Sequence, residues 1–331
     1  MKIKEIVGID ISKNEFDVRI HTSKEYEVFA NQSKGFKRLI KWVFKVSSFA
    51  KDEIFFVFEH TGIYSYQLAA FLTEQEIPFA IIPGLEIKRT LGLARGKSDK
   101  VDATRIARYA YLRRDEITPY KLASKELQEL NGLFTLRKRL VRQKAGYVAS
   151  LGENKSVKRR KDNLTEFAVM ESIIRTMTKK IEKIDQAMKA IIDNASSLKH
   201  LYTLITSVKG IGPQTAYILL ITTQGFTKFK TSRQYASYAG VAPFPHQSGS
   251  SIRGKTKVSH LANKTVKAIL SSAAQAAIKW DPELKIYYQR KVAEGKHPAL
   301  VINIVRNKLL ARVWAVVNRG TPFLDLCKYA S

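Results

Sequence analysis

Residues 3–10 read IKEIVGID, and the runs FDVRIHT (16–22) and EYEVFAN (25–31) follow at short intervals. Each run is rich in β-branched and aromatic residues, and turn-forming Ser12-Lys13-Asn14 and Thr22-Ser23-Lys24 separate them. Three such runs predict an antiparallel meander. A helical pattern around Phe36 to Lys45 comes next, followed by EIFFVFE (53–59), a helical stretch from about Ile63 to Glu74, and PFAIIP ending at Pro83. Three antiparallel strands followed by β-α-β units predict a mixed α/β sheet covered by helices.

The leading candidate for that order is the RNase H arrangement, in which the first and fourth strands lie side by side. We assign residues 1–120 to this domain. From about Leu122 to Ser196 the apolar residues recur at helical spacing, as in LQELNGLFTLRKRLV and FAVMESIIRTMTKKIEKIDQAMKAII. Residues 121–200 therefore read as a helical hairpin or coiled coil, either an oligomerisation arm or a surface hairpin packed on its own chain. Gly152 to Asn163, with Lys155 to Lys161 inside it, reads as a basic linker between the helices. Residues 201–331 read as mainly α-helical with one long irregular loop, VAPFPHQSGSSIRGKTK (241–257), and helices continuing to about Asn318.

Charge points to the partner. Against 29 Asp plus Glu stand 57 Lys plus Arg, a formal net charge of +28 spread along the whole 331-residue chain. Such a surplus attracts polyanions, and nucleic acid fits better than a membrane surface, because no single amphipathic helix gathers the cations. The single cysteine, Cys327, leaves no partner for an internal disulfide or a multi-cysteine zinc site. The start carries no signal-peptide pattern and no apolar run approaches a membrane span, so a cytoplasmic protein is expected.

Two apolar strands end in a lone acid, Asp10 in IVGIDIS and Glu59 in FFVFEHTG, which places both carboxylates at the rim of the sheet. In KSDKVDATRIARYAYL (97–112), Asp99 and Asp102 are three apart at a helix start and share a face, with Ile106 and Tyr109 continuing it toward the core. A capping role is the plain explanation for Asp99. Four carboxylates together suit phosphoryl transfer assisted by two divalent ions, which needs hard oxygen ligands. Without metal such a cluster would repel itself and raise its own pKa values.

The segments Val7-Gly8-Ile9-Asp10, Phe58-Glu59-His60-Thr61-Gly62-Ile63-Tyr64 and Lys97-Ser98-Asp99-Lys100-Val101-Asp102-Ala103 resemble the DEDD motifs of the IS110-family transposases. The resemblance implies a RuvC-like N-terminal domain in which Asp10, Glu59, Asp99 and Asp102 are catalytic and hold Mg²⁺, with Mn²⁺ as an alternative. It extends to Tyr238-Ala239-Gly240-Val241-Ala242-Pro243 and Gln247-Ser248-Gly249-Ser250-Ser251, similar to the family's transposase domain, where the serine before glycine is catalytic. That position is Ser248. A serine that attacks a DNA phosphate forms a phosphoserine ester and keeps the bond energy for rejoining, but it needs activation by a base or metal. Gly249 would let the backbone approach the phosphate, and Arg253 and Lys255 would neutralise charge there. Residue chemistry alone leaves open a plain polar loop, the neighbours Ser250 and Ser251, and His246 as a base. Leu261-Ala262-Asn263 departs from the family, which has glycine where Ala262 stands, and puts that turn in doubt.

Lys209-Gly210-Ile211-Gly212-Pro213 reads as a glycine hairpin opening a helix, a helix-hairpin-helix pattern in which backbone N–H groups near Gly210 and Gly212 would hold phosphate. A simple interhelical turn is the alternative. Arg137-Lys138-Arg139 with Arg142, and the linker cations, are candidate backbone contacts. Tyr235, Tyr238, Tyr287 and Tyr288 could stack on bases, with core packing the plainer use. As partners the resemblance implies donor and target DNA, a noncoding bridge RNA, and a homo-oligomer, dimer or tetramer, in which acids and serine can come from different subunits. The expected activity is a transposase or recombinase that cuts and rejoins DNA through a covalent serine intermediate. The alternatives are a metal-only RuvC-like endonuclease of the Holliday-junction type and a nonenzymatic nucleic-acid-binding protein.

Overall fold

The computed structural model describes residues 3–90, 98–248 and 252–324, and the chain divides into two units, Met1–Leu122 and Ala123–Ser331. In the first unit β1 (Glu5–Ile11), β2 (Glu15–Ile20) and β3 (Tyr26–Ala30) make the expected antiparallel meander. Helix α1 (Ser33–Val46) carries the chain to β4 (Ile54–Glu59), which returns parallel to β1, and α2 (Tyr66–Glu74) carries it to β5 (Phe79–Ile82), parallel to β4. The spatial order β3-β2-β1-β4-β5 is the mixed sheet expected of an RNase H-like arrangement, with the first and fourth strands adjacent.

The sheet is covered on both faces, so β1 and β4 read as continuous apolar runs instead of alternating ones. Val7, Ile9 and Ile11 pack with Phe56 and Phe58 against Phe36, Leu39 and Leu68 of α1 and α2. Ile6, Phe55 and Val57 point the other way, into a second core with Ile87, Ile106, Ala107 and Tyr109. That second face is covered by α3 (Gly84–Thr90) and α4 (Asp99–Leu112). Each fully buried side chain of this size contributes about 1.5–3 kcal/mol, so the two-sided core fixes the strand register firmly.

The second unit is mostly helical: α5 (Lys125–Val157), α6 (Leu164–Asn194), α7 (Ser196–Thr206), α8 (Pro213–Thr223) and α9 (Ser232–Tyr238), then a two-stranded ribbon, then three more helices. The ribbon is β6 (Pro243–Ser248) paired antiparallel with β7 (Ile252–Val258), and α10 (Lys264–Trp280), α11 (Pro282–Ala293) and α12 (Pro298–Arg319) close the unit. Helix α8 is buried nearly all round, from Thr215 to Leu220, as expected of a central helix.

Two expectations need correction. The basic linker is shorter than Gly152 to Asn163, because α5 runs through Gly152 as far as Val157. A glycine inside a helix costs only about 1 kcal/mol, and here α5 is held to α6 by Asn154 Nδ2 donating to Glu166 Oε1 at 2.9 Å and by Lys155 facing Glu171 at 3.5 Å. The long irregular loop is instead the β6–β7 ribbon. Pro243 and Pro245 hid it, yet both strands of a two-stranded ribbon are edges, where proline is tolerated. Its register shifts between Phe244 and His246.

Candidate active site

Asp10 is the penultimate residue of β1 and Glu59 the last of β4; Ile9 pairs with Phe58, so the two acids stand side by side at the C-terminal ends of adjacent parallel strands in the middle of the sheet. Asp99 and Asp102, in the first turn of α4, are near enough for their charges to act on Asp10. What brings the helix close is Gly8: a Cβ there would lie 2.4 Å from the backbone nitrogen of Ala107 and 2.7 Å from the carbonyl oxygen of Ala103. The α4 cap is Ser98, whose Oγ accepts from the Val101 N–H at 3.3 Å, so the capping role considered for Asp99 belongs to its neighbour. Asp99 is exposed at the first turn, and half-buried Asp102 accepts from Arg105 at 2.8 Å. Gly84, opening α3, leaves the space that the Glu59 carboxylate fills, since a Cβ would sit 1.8 Å from Glu59 Oε1.

The electrostatics of the cluster centre on Asp10, whose pKa is pushed up to about 6, first by burial and then by the charges of Asp102, Asp99, Glu59 and Asp17. Asp17 was not anticipated. It is buried, stands directly opposite Asp10 on β2 and accepts a hydrogen bond from the Tyr26 hydroxyl. The signal was present in the sequence, as an acid flanked directly by Phe16 and Val18 within a strand-like run. Among the described residues, no group of three or more His, Cys, Asp or Glu is drawn together closely enough to be a formed metal site. The donor types nonetheless suit a hard divalent cation: two carboxylates at the ends of adjacent strands and two at the start of α4, whose charges add to burial in raising Asp10. Asp102 would have to release Arg105 to join it.

In the second unit Ser248 is the last residue of β6, its backbone paired with Ile252, and Arg253 lies opposite Gln247 on β7, two residues before Lys255. For these residues the description is of the backbone. Gly249, Ser250, Ser251 and Cys327 lie outside the described residues. The ribbon is anchored at its root by α12: Asn303 Nδ2 and Asn307 Nδ2 both donate to the Val241 carbonyl, at 2.9 and 3.0 Å. Asn263 caps α10 by accepting from the Thr265 and Val266 N–H groups at 3.1 Å, and its amide donates to the Tyr238 hydroxyl at 2.8 Å. Ala262 has no positive φ, so the turn needs no glycine there; Gly240, at φ +66, is the left-handed residue and packs against Ala262.

Residues 7–151 match the sequence model of the DEDD transposases of IS110 type, and residues 202–289 match that of the IS116/IS110/IS902 transposase family. The two matches fall in order along the chain and together cover more than half of it. The chain belongs to the IS110 family of transposases. It is 27% identical to the pilin gene-inverting protein of Moraxella bovis over 97% of this chain and 98% of that one. It is 33% identical to the insertion element IS110 43.6 kDa protein of Streptomyces coelicolor over 41% of this chain and 33% of that one. A probable family 20 transposase of Pseudomonas aeruginosa is 23% identical over 69% of this chain and 74% of its own length. Membership of the IS110 transposases makes the chain a DNA transposase or recombinase acting on DNA, in a family that uses divalent metal. No described helix is long and apolar enough to cross a membrane.

The other sequence features of this IS110 transposase divide between structure and surface. Gly210 takes φ +90 and lies so close to α10 that a Cβ would meet Ala277 Cβ at 2.5 Å, whereas Gly212 is exposed at the N-cap of α8, ahead of Pro213 at the first helical position. Arg137 is no free cation, since it binds Asp185 with two hydrogen bonds, at 2.6 and 3.0 Å, and Gln214 shares that carboxylate. Lys158 and Arg160 likewise staple the hairpin end, to Glu166 and Glu171. Tyr235 is fully buried against Phe229, Tyr238 and Trp314, so its role is packing. Beside the ribbon root lies a cavity of about 570 Å³ lined by Phe244, Pro245, Lys257 and Leu261 among others.

Proposed function

We propose that this IS110 transposase cuts and rejoins DNA with the Ser248 hydroxyl as nucleophile, activated at the cluster of Asp10, Glu59, Asp99 and Asp102. The observation that carries this reading is that Asp10 and Glu59 end adjacent strands beside the start of α4, where burial first, and then the charges of Asp102, Asp99 and Glu59, raise Asp10 to about 6. Bound there, Mg²⁺ or Mn²⁺ would supply Lewis acidity to the attacking and leaving oxygens. The chain's own part is to hold hard oxygen donors on two strands and a helix, to present Ser248 at the tip of a ribbon anchored by Asn303 and Asn307, and to offer Arg253 and Lys255 to the phosphate. The serine displaces a DNA hydroxyl and forms a phosphoserine ester; a second DNA hydroxyl then displaces the serine, so no bond energy is lost to water. A relative named for gene inversion supports rejoining, because inversion must reseal the strands it opens.

Residues 1–120 would house the metal site, 121–200 the assembly element and 201–331 the serine and the Gly210/Gly212 phosphate contact. Assembly into a dimer or tetramer through the hairpin is supported by the apolar residues exposed at its far end, Val157 at 85% and Leu164 at 62%. A noncoding bridge RNA choosing donor and target is the partner that the family resemblance supports.

Full-length protein incubated with DNA and divalent ion, then denatured, tests the chemistry. Wild type should leave a covalent protein–DNA adduct and Ser248→Ala none. If Ser248→Ala still forms the adduct, the nucleophile is elsewhere; if it cleaves without rejoining, water attacks and the chain is a metal-only nuclease. Undiminished recombination by Asp10→Asn would remove the acid cluster from the mechanism.

A further inference from the structure

The acid cluster occupies only one end of α4. Counting by threes from Asp102, the helix and the turn after it carry Arg105, Arg108, Tyr111 and Arg114, an inclined row that winds half-way round the helix by Tyr111. At the far end of this row the chain builds a second feature. The His21 ring stacks on Tyr111, with centroids 4.0 Å apart and planes 19° from parallel. The Arg114 guanidinium lies 4.4 Å from the same ring and donates to the Tyr111 carbonyl at 2.8 Å. Arg19, Lys24, Arg108 and Arg114 surround His21 closely enough that their charges, after burial, lower its pKa.

Four cations are therefore gathered around a stacked aromatic pair, and among the described residues none of the four has a carboxylate partner in an ion pair. Arg108 and Lys24 are exposed. This contrasts with the hairpin, where Arg137, Lys158 and Arg160 are paired. Gathering like charges costs free energy, and a fold that retains them unpaired on a structured surface is matched by a polyanion.

The patch shares α4 with the acid cluster, so the DNA on which the family acts is the polyanion that passes it. The His21 N–H donates to the Ile6 carbonyl, so the stack sits beside the start of β1, while Asp10 sits near the strand's end. Nine residues of α4 separate Asp102 from Tyr111, about 13 Å of helix rise. The same distance corresponds to about four nucleotides along the axis of one strand of a duplex.

We propose that Arg19, Lys24, Arg108 and Arg114, gathered about the His21–Tyr111 stack, form a phosphate track that holds the DNA substrate about four nucleotides from the phosphate placed at the acid cluster. The track rests on the reading of that cluster as the reactive centre. Its contacts are to backbone, so it orients DNA without choosing sequence. The Tyr111 ring keeps Arg114 in place and His21 keeps Tyr111 in place, which limits the side-chain freedom that phosphate binding would otherwise have to remove.

The test uses full-length protein carrying Asp10→Asn, without divalent ions, and a linear DNA duplex of arbitrary sequence, with binding measured across a series of salt concentrations. Adding Lys24→Gln and Arg108→Gln, both at exposed positions, should lower affinity and reduce the slope of log K against log salt by about two, one per lost phosphate contact. A control with Lys179→Gln and Lys180→Gln removes equal charge from the exposed side of α6 and should leave the slope unchanged. An unchanged slope in the track variant overturns the proposal, and so does an equal change in the control, which would make the effect one of net charge. Loss of binding to a single-stranded RNA with duplex binding intact would assign the patch to RNA and also overturn it. Because chemistry is switched off, these outcomes are independent of whether Asp10 is catalytic, which the recombination assay of Asp10→Asn decides separately.

Discussion

Asp10 and Asp17 stand directly opposite each other on β1 and β2, two carboxylates on the face of the sheet that α4 covers. Like charges in that position repel. Asp17 is supported by the Tyr26 hydroxyl, and the burden falls on Asp10, which is raised first by burial and then by the charges of four other acids.

The sign of the resulting pH dependence follows from linkage. Asp10 is raised from 3.8 to about 6 in the folded chain, so between those values the native state holds a proton that the unfolded state has lost. Its contribution to stability is present below about pH 4 and is lost as pH rises through about 6. A rise of that size corresponds to about 3 kcal/mol at most, and partial exposure with solvent screening reduces this to about 1–2 kcal/mol. Asp10→Asn should therefore raise the denaturation midpoint at pH 7 and little at pH 4, while abolishing recombination. A midpoint that falls equally at both pH values would contradict the repulsion.

Divalent ions should reverse the same strain without any DNA present. Mg²⁺ or Mn²⁺ at millimolar concentration is expected to raise the melting temperature of wild type, by more at pH 7 than at pH 5, where protonated Asp10 competes. Asp10→Asn should show a much smaller increase. Equal increases in both proteins would place the ions elsewhere.

Gly8→Ala tests the contact that delivers α4. Its Cβ would meet backbone atoms of Ala103 and Ala107, which have no rotamer to yield. The expected cost is about 1–3 kcal/mol, read as a lower midpoint in denaturant at constant slope. Recombination should fall further than stability does, because Asp99 and Asp102 move with the helix. A wild-type midpoint would show that α4 is not in tight contact.

Asn303 and Asn307 share one acceptor, the Val241 carbonyl at the root of the serine ribbon. Replacing either with Ala should cost about 0.5–1.5 kcal/mol, and replacing both should cost more than the sum, since the acceptor then has neither donor. A double-mutant cycle on stability, combined with the rate of covalent adduct formation, measures whether the anchorage reaches Ser248. Strict additivity with an unchanged adduct rate would argue against it.

Much of the first unit was legible because its determinants are local. Strands buried on both sides must be apolar throughout, so the runs around Ile6 to Ile9 and Phe55 to Phe58 could be read directly, and an acid ending each run could be placed at the sheet edge. The row Asp99, Asp102, Ile106 and Tyr109 followed from helical periodicity in the same way. Asp17 escaped because its importance depends on the β1–β2 register, which sets it against Asp10. The partners of Arg137 and Arg160 escaped because they lie on the other arm of the hairpin, 48 and 11 residues away in sequence. The β6–β7 ribbon escaped because prolines and glycines, the usual marks of a loop, are also admissible on strands that have no neighbour to offend.

The absence of a side chain at Gly8 has a consequence for the dimensions of the molecule. A helix gripped at its midpoint by a strand cannot slide along it without driving Ala103 and Ala107 over the next residue's bulk. Helix α4 is thereby made into a ruler, with Asp102 near one end and Tyr111 near the other, its zero mark set by a single hydrogen atom.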